Sequence, residues 1–359
     1  MKTLSLSPKR SDARYGDIAD KIRAEIVCGK WTPGSKLPTW DVLCDLYAVG
    51  RPTLTRALAL LKAEGFISAK TTRGTFVTEN PPNRNRYILI FPSEPGLHGA
   101  GGWNLFWESI AMQALSAQEN YHCQIDIRFH VTPHADCPAY AELLEDMQKH
   151  RIAGVLVVNG DQLTNWEPPF PFPHVLLFAS NPNPNLPSVG VNWNSFHKVA
   201  ARIMMEGKRR RVAVLAGEQH LANLAGDELV KSGLSVPECF RLSMPGTYAE
   251  GAYNLVRLLL SLPKTERPDG LLVCDDNLLP ETLSAVMTAR LSIPDDLLVV
   301  AHGNSPASPR AAIPAVRRLG FDVHDILRNA LHILQAQQKK PKSIQSIAVN
   351  ASDRLSFPL

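Results

Sequence analysis

Carboxylates, amides and tryptophans follow short apolar runs in the second half of the chain, and this combination suits a polyhydroxylated ligand. Asp275 and Asp276 come directly after the run at 270–274, and Trp193 follows the run at 189–191. Carboxylate and amide oxygens accept hydrogen bonds from hydroxyls, and an indole packs on the C–H face of a sugar ring. The predicted ligand-binding residues are Asp276, Asp275, Asn192, Trp193, Asn223, Asn304, Glu94 and Trp103.

A second set of residues, near the start of the chain, is cationic and rich in threonine. Cations and hydroxyls of this kind bind the phosphates and base edges of DNA. Arg51 begins an apolar-periodic segment, and Arg73 precedes a glycine between two short β-prone runs. The predicted DNA-binding residues are Thr39, Arg51, Pro52, Thr53, Thr55, Arg56, Arg73 and Gly74.

The pattern at 37–77 predicts the elements that position this second set. A first short helix has Thr39 as its N-cap and an apolar stripe of Val42, Leu43, Leu46 and Tyr47. A turn at 48–50 leads to a second helix, with a proline in its first turn and leucines at helical spacing. Two strands at 66–69 and 75–77 then flank a tip at 71–74. A helix, a turn, a helix and a basic hairpin are typical of a winged helix-turn-helix that reads DNA.

The same stretch resembles the DNA-binding domain of GntR-type bacterial transcription regulators. The resemblance covers 12–78 and rests on these residues: Tyr15-x-x-Ile18, Gly29-Lys30-Trp31-x-Pro33-Gly34-x-x-Leu37-Pro38-Thr39, Val49-x-Arg51-x-Thr53-x-x-x-Ala57-Leu58-x-x-Leu61-x-x-Glu64-Gly65-x-Ile67 and Arg73-Gly74-Thr75-Phe76-Val77. It implies that Arg51 and Thr53 contact operator DNA from the recognition helix, and Arg73 and Gly74 from the wing. Two departures change that surface: Thr39-Trp40-Asp41 replaces the usual Ser-Glu-Arg, and Thr55 replaces an arginine.

Charge and composition divide the chain into two parts. Residues 1–79 hold 13 Lys/Arg against 8 Asp/Glu, whereas the other 280 residues hold 25 against 26. The excess positive charge therefore lies in the part predicted to bind DNA phosphates. We expect a DNA-binding domain at 1–79, a linker at 80–86 that has two prolines and no apolar residue, and a larger domain at 87–359.

The larger domain alternates apolar strands with amphipathic helices. Strands are predicted at 87–91, 123–129, 152–158, 175–178, 189–191, 211–216, 270–274 and 297–301. Helices are predicted at 106–117, 140–150, 195–206, 221–232, 248–262, 280–289 and 323–335. This alternation predicts parallel sheets covered on both faces. The number of units favours two doubly wound lobes over one large sheet.

This half resembles the effector domain of LacI-type repressors, which is similar to periplasmic sugar-binding proteins. The resemblance covers roughly 87–355 and rests on these segments: Val191-Asn192-Trp193-Asn194, Gly207-Lys208-Arg209-Arg210-Arg211-Val212-Ala213-Val214-Leu215, Arg267-Pro268-Asp269-Gly270-Leu271-Leu272-Val273-Cys274-Asp275-Asp276 and Ile293-Pro294-Asp295-Asp296-Leu297-Leu298-Val299-Val300. It implies two α/β lobes with a ligand between them, and it aligns Asp276 with an acidic residue that contacts sugar hydroxyls. Asn192, Asn223 and the segment 301–304 depart from the family pattern.

Other chemistry has weaker support in the sequence. Pro133 and Pro138 break any helix that would hold His130, His134 and Cys137 together, and no fourth metal ligand is evident, so we predict no metal and no cofactor. Neither a nucleophile elbow nor a phosphate loop accompanies Asp275, Asp276 and His302, so we predict no catalytic residues and no enzyme. The basic run 208–211 is interpreted as a solvated turn.

The combined interpretation is an α/β protein with an N-terminal winged helix-turn-helix and a two-lobed, periplasmic-binding-protein-like effector domain. We expect a transcription regulator, most simply a repressor, that binds operator DNA as a homodimer and senses a sugar-like molecule. Six cysteines without paired spacing, no apolar run long enough for a bilayer and no signal peptide indicate a cytoplasmic protein. The alternatives are a regulator with a degenerate pocket and, less favoured, an enzyme with an accessory DNA-binding domain.

Overall fold

The computed structural model describes residues 10–70, 73–92, 94, 105–132, 136–158, 172–178, 186–305, 315–339 and 345–353. The first domain has three helices, α1 (Arg10–Val27), α2 (Trp40–Tyr47) and α3 (Arg51–Ala63). They are followed by a hairpin of β1 (Ile67–Lys70) and β2 (Gly74–Val77). The antiparallel register pairs Ile67 with Val77 and Lys70 with Gly74. This is the winged helix-turn-helix that the sequence predicts.

One apolar core holds the three helices and the hairpin together. Ile22 of α1, Leu54 and Leu61 of α3, and Phe66 are almost fully buried in it. The turn between α2 and α3 is tight because Ala48 adopts a left-handed conformation at φ 51°. Gly65, at φ +82°, follows the end of α3. The leucine spacing of α3 therefore buries one face of this helix and leaves the other in solvent.

Two details of α2 differ from the sequence prediction. Thr39 takes the extended N-cap conformation, but its side chain makes no capping hydrogen bond. Only Leu43 of the predicted stripe is buried, while Val42 is 52% and Leu46 50% exposed. A helix of eight residues has about two turns, and the domain core covers only the side of α2 that carries Leu43.

The hairpin gains a third chain segment that the sequence reading did not include. The amide of Leu37 donates to the carbonyl of Thr75, and the amide of Val77 donates to the carbonyl of Ser35. Lys36 pairs with Phe76 in an antiparallel bridge. The segment that precedes α2 thus pairs with β2. This pairing fixes the position of the β1–β2 hairpin, the wing, relative to the helices.

The segment expected as a linker is folded against both domains. A single helical turn, α4 (Pro82–Asn85), occupies its centre, and Pro81 and Pro82 are buried. Gly65 lies against Pro82, because a Cβ on this glycine would be 3.6 Å from the proline ring. The first strand of the next domain begins at once, at Arg86. Residues 80–86 therefore form a short, packed connection.

The first lobe contains a six-stranded parallel sheet. Its strands are β3 (Arg86–Phe91), β4 (Gln124–Phe129), β5 (Gly154–Val158), β6 (His174–Leu177), β7 (Ser188–Asn192) and β13 (Ser346–Asn350). The order across the sheet is β13-β7-β6-β5-β3-β4. Helices α5 (Leu105–Tyr121), α6 (Pro138–Gln148) and α11 (Val323–Lys339) cover it. Buried apolar side chains lie on both faces, as a doubly wound sheet requires.

The second lobe contains a five-stranded parallel sheet in the order β12-β11-β10-β8-β9. Its strands are β8 (Val212–Ala216), β9 (Arg241–Ser243), β10 (Gly270–Val273), β11 (Leu298–His302) and β12 (Arg317–Leu319). Its helices are α7 (Trp193–Glu206), α8 (Gln219–Lys231), α9 (Glu250–Leu260) and α10 (Leu279–Thr288). The carboxyl ends of β8, β10 and β11 meet at one edge, where loops from both lobes converge.

The chain passes between the lobes at three places. The first is the junction of β7 and α7 at 192–193, and the second is 320–323, between β12 and α11. The third follows Asn350, where Asp353 forms an ion pair with Arg202 of α7. Within the described ranges, no helix is both long enough and apolar enough to cross a bilayer.

Candidate functional sites

The start of α3 presents an exposed arginine that is already oriented by a neighbour. The Nη2 atom of Arg51 lies 2.6 Å from Oδ1 of Asp41 on α2, and both side chains are more than two-thirds exposed. The hydrogen bond from Arg51 to Asp41 raises the pKa of the guanidinium. An exposed pair of this kind stabilises the fold little and exchanges readily for another anion. Asp41 stands at one of the positions that depart from the GntR pattern.

The other predicted residues of this surface lie on or beside the same helix. Pro52, Thr55 and Arg56 are exposed on α3, and Thr53 is half-buried. The hydroxyl of Thr55 donates to the carbonyl of Arg51 at 2.7 Å, so its oxygen points back along the helix. Thr39 is exposed at the start of α2.

The wing carries more positive charge than the sequence reading assigned to it. Arg73 and Gly74 are exposed at its tip, with Gly74 at φ +107°. Lys36 reaches the same tip, because a Cβ on Gly74 would be 2.8 Å from its Cε. The ammonium of Lys70 lies 5.0 Å from the centre of the Phe76 ring. Lys36 was missed because its position depends on the pairing of 35–37 with β2, whereas Lys70 ends β1 beside the predicted tip and could have been found from the sequence.

A cleft of about 660 Å³ lies where the two lobes meet at the carboxyl ends of β8 and β10. A cleft of this volume is in the range of small-molecule sites. Its lining is Phe106, Trp193, Asn194, His197, Ala216, Gly217, Glu218, Leu221, Leu224, Asp227, Glu228, Lys231, Pro245, Gly246, Cys274, Asp275, Asp276, Asn277 and His302.

Two consecutive carboxylates lie at the base of this cleft. Asp275 accepts hydrogen bonds from the backbone amide of Asn277 at 3.0 Å and from its Nδ2 at 2.7 Å. Burial, together with the neighbouring charge of Asp276, raises the pKa of Asp275. Asp276 is 7% exposed, and its Oδ1 lies 3.7 Å from Nδ1 of His302. These groups are held by the end of β10 and the end of β11.

Asn277 also joins the two lobes. Its Oδ1 accepts a hydrogen bond of 3.2 Å from the backbone amide of Leu105, at the start of α5 in the first lobe. Its Nδ2 is bound by Asp275, as described above. The same side chain therefore contacts the cleft carboxylate and the opposite lobe.

An aromatic wall faces these carboxylates. Trp193 begins α7 and is 39% exposed, with its ring centre 5.5 Å from that of His302. Phe196 and Phe321 support the indole edge-on, each at 5.3 Å. Phe106, from the first lobe, lies 6.3 Å from His302. The wall presents one exposed aromatic face that is fixed by buried rings.

The structure brings three of the predicted ligand residues together, namely Asp275, Asp276 and Trp193. Asn192 does not line the cleft. Its Oδ1 accepts from the amide of Ser195 and thereby caps α7, while its Nδ2 donates to Asn350. An asparagine directly before a helix is a common N-cap, and this signal was available in the sequence.

The remaining predicted ligand residues lie elsewhere. Asn223 is exposed on α8 and accepts a hydrogen bond from Gln219. Asn304 is buried, with its Oδ1 bound to the amide of Phe321. Glu94 is exposed and outside the lining, and Trp103 falls outside the described residues.

Several lining residues were not predicted. His197 lies within α7, Glu228 within α8, and Lys231 at the end of α8, so none of them follows a strand end. Phe106 comes from the first turn of α5. Helical spacing does relate some of them, because Trp193 and His197 are four residues apart and share one face. Within the described ranges, no group of three His, Cys, Asp or Glu residues is placed to hold a metal ion.

Two family models match separate parts of the chain. Residues 14–77 match the gntR family of bacterial regulatory proteins, and residues 201–356 match the periplasmic binding protein-like domain. The first range covers the winged helix-turn-helix. The second covers most of the second lobe together with α11 and β13.

Curated relatives match part of the chain. It is 27% identical over 134 residues to YurK, an uncharacterised HTH-type transcriptional regulator of Bacillus subtilis, covering 37% of this chain and 46% of YurK. It is 35% identical over 75 residues to MngR, the mannosyl-D-glycerate transport/metabolism system repressor of Escherichia coli, covering 21% of this chain and 31% of MngR. The chain thus spans less than half the length of either relative.

Solved structures resemble about three quarters of the chain. A LacI-family regulatory protein from Chloroflexus aggregans gives a TM-score of 0.59 at 16% identity, covering 76% of this chain and 98% of that one. A LacI-family transcriptional regulator from Lactobacillus casei with bound glucose gives 0.54 at 18% identity, covering 75% of this chain and 98% of that one. At these identities the likeness shows the fold alone, two α/β lobes.

Proposed function

We propose that this chain, which joins a GntR-type DNA-binding domain to a LacI-like effector domain, is a transcription regulator controlled by a small molecule. The observation that carries the proposal is the presence of two separate surfaces in one folded chain. One is the exposed, cationic start of α3 with the basic wing, and the other is the interlobe cleft. The presence of both surfaces in one chain is explained if binding of a ligand in the cleft changes the affinity for DNA.

The DNA contacts are assigned as follows. Arg51 leaves Asp41 for a phosphate or a base edge when α3 enters the major groove. Arg73, with Lys36 and Lys70 beside it, contacts the backbone or minor groove from the wing. We infer that two copies bind a pseudo-palindromic operator and that the regulator acts in the cytoplasm as a repressor. A dimer matches a two-fold operator with one recognition helix in each half-site.

The effector assignment rests on the cleft. A polyhydroxylated molecule would pack on Trp193 and give hydroxyl hydrogen bonds to Asp275 and Asp276. Binding would favour one arrangement of the two lobes, and operator affinity would change only as far as the ligand distinguishes these arrangements. The packed connection at 80–86 would transmit the change to the DNA-binding domain.

The test of DNA reading uses purified full-length protein and operator sequences selected from random DNA. Arg51→Ala and Arg73→Ala should each weaken binding about 10- to 100-fold and leave thermal unfolding unchanged. Loss of a phosphate contact should also lower the slope of log affinity against log salt by about 0.9. Arg257→Ala, which removes an exposed arginine from α9, is the matched control and should bind as the wild type does. Unchanged operator affinity in Arg51→Ala would refute the assignment of the recognition helix.

A further inference from the structure

The charge of the cleft lining is strongly negative. Among the residues that the structure describes, the lining contains five carboxylates and one ammonium group, from Glu218, Asp227, Glu228, Asp275, Asp276 and Lys231. The one ammonium is already used, because Lys231 forms an ion pair with Glu228. Arg241, which is outside the lining, neutralises Asp227 at 2.7 Å. The lining carboxylates that pair with no lysine or arginine in this way are the exposed Glu218, which lies 3.2 Å from Nδ1 of His220, and the pair at the base.

The pair at the base has less positive charge nearby than two carboxylates need. Asp275 is bound by the neutral donors of Asn277. The buried guanidinium of Arg318 feels the charge of Asp276 and donates to the carbonyl of His302 at 2.8 Å. His302, 3.7 Å from Asp276, adds a positive charge only when its ring is protonated. With a neutral ring, two carboxylates against one guanidinium among the described residues leave a net negative charge in a buried place, where such a charge is costly unless it is compensated.

A second observation shows that the base of the cleft lacks a polar partner. His302 is 6% exposed, and its Nε2 has no hydrogen-bond partner among the described residues. A buried polar atom without a partner is uncommon in folded proteins and marks a place for water or a ligand. His302 lies between Asp276 and Trp193, so a ligand hydroxyl placed there would be next to the carboxylate and the indole.

We propose that the effector of this cleft carries a protonated amine on a polyhydroxylated scaffold, as in an amino sugar or an amino polyol. The inference rests on the proposed function, because it takes the cleft as the effector site. The ammonium would pair with Asp276 and lie against the face of Trp193, where a cation is attracted to the indole. Hydroxyls would bind His302 and Asp275. A neutral sugar would leave the negative charge uncompensated, and a sugar acid or phosphate would be repelled by it.

The test is a calorimetric titration of the full-length protein in phosphate buffer at pH 7, free of other amines. The probes are glucosamine, galactosamine and mannosamine, each compared with its neutral parent sugar and its N-acetyl derivative, together with gluconate, glucose 6-phosphate and the amino polyol Tris. At least one amine should bind 10-fold or more tightly than its neutral and N-acetyl counterparts, and the anions should not bind.

Variants test the contact. Asp276→Asn should lower the affinity for the amine at least 10-fold and that for the neutral parent much less. Asp295→Asn removes an exposed carboxylate of the second lobe that lies outside the lining, and it should bind the amine as the wild type does. The comparison of probes in the wild-type protein remains decisive if Asp276→Asn fails to fold.

Three outcomes would overturn the inference: equal or tighter binding of a neutral or anionic probe, no amine bound below 10 mM, or full amine affinity in Asp276→Asn. These failures are distinct from failure of the proposed function. A neutral sugar that binds the cleft and changes operator affinity would leave the regulator intact and refute only the amine. Absence of sequence-specific DNA binding would refute the regulator whatever the cleft binds.

Discussion

The imidazole of His197 should make the folded state less stable at acidic pH. His197 is 6% exposed on α7, where its ring stacks on Trp193 at 6.3 Å, and its Nδ1 has no hydrogen-bond partner among the described residues. Burial lowers its pKa from 6.5 to about 4, although the charge of Glu228 opposes this change. The folded state therefore holds the ring neutral at pH values where the unfolded chain protonates it.

The sign and size of the effect follow from this difference. Above pH 6.5 both states are neutral at His197, and no stability is lost there. As the pH falls from 6.5 to 4, only the unfolded state gains the proton, so the free energy of unfolding decreases. At about 1.4 kcal/mol for each pKa unit, the total loss is about 3 kcal/mol. About 2 kcal/mol of it should be lost between pH 7 and pH 5.

The perturbation is His197→Gln, which keeps a polar side chain of similar size that cannot titrate. Urea unfolding of both proteins at pH 7, 6 and 5 gives the free energy of unfolding at each pH. Loss of the stacking on Trp193 changes the free energy of unfolding of the variant by the same amount at every pH. The decrease in this free energy between pH 7 and pH 5 should be smaller in the variant than in the wild type by about 2 kcal/mol. His174 and His150, whose pKa values burial also lowers, are present in both proteins and cancel in the comparison. Equal decreases in the two proteins would refute the reasoning.

Two further predictions concern the coupling between sites. Asn277→Ala removes the hydrogen bond to the amide of Leu105 that joins the lobes. The effector affinity measured by calorimetry should therefore fall roughly 5-fold. An unchanged affinity would show that this contact does not favour the ligand-bound arrangement of the lobes. Nε of Arg151, in the first lobe, lies 3.9 Å from Oε1 of Glu64, at the end of α3. Arg151→Ala should reduce the effector-induced change in operator affinity by about 2- to 30-fold and leave affinity without effector unchanged. Lys149→Ala, a nearby cation that pairs with Glu145, is its control, and equal responses in the two variants would contradict the assignment.

An ion-pair network connects Arg151 of the first lobe, through Glu64, to α1 of the first domain. No sequence pattern predicted this network. Glu64 also pairs with Arg23 of α1 at 2.5 Å, and Arg23 is 1% exposed and bonded to Asp20. In the first lobe, Arg151 contacts Glu145 at 2.7 Å. Charges distant in sequence meet here because the connection at 80–86 is packed, and composition predicted only its location.

The sequence predicted those elements whose structure depends on their own residues and little on the rest of the chain. The turn at 48–50, the leucine face of α3 and most of the parallel strands follow from spacing and from residue type. The strands β9, β12 and β13 were missed, because Arg241–Ser243 and Arg317–Leu319 have only three residues each and Ser346–Asn350 is mostly exposed. Their pairing comes from neighbouring strands, so periodicity within them carries little signal.

The cleft shows the same limit. Asp275, Asp276 and Trp193 were predicted because strand ends converge in parallel sheets. His197 and Phe106 were missed because helices bring them to the cleft from the side. Asn192 was assigned to the ligand by its position after a strand, whereas the helix that follows uses it as a cap.

The central claim is that one chain couples DNA reading at α3 and the wing to ligand binding in the interlobe cleft. The most direct measurement is operator affinity of the full-length protein, by fluorescence anisotropy, as a function of the concentration of the ligand identified by calorimetry. The account predicts a change of about 5-fold or more that saturates at the calorimetric dissociation constant and is absent in Asp276→Asn. An operator affinity that stays constant while the cleft is saturated would contradict it.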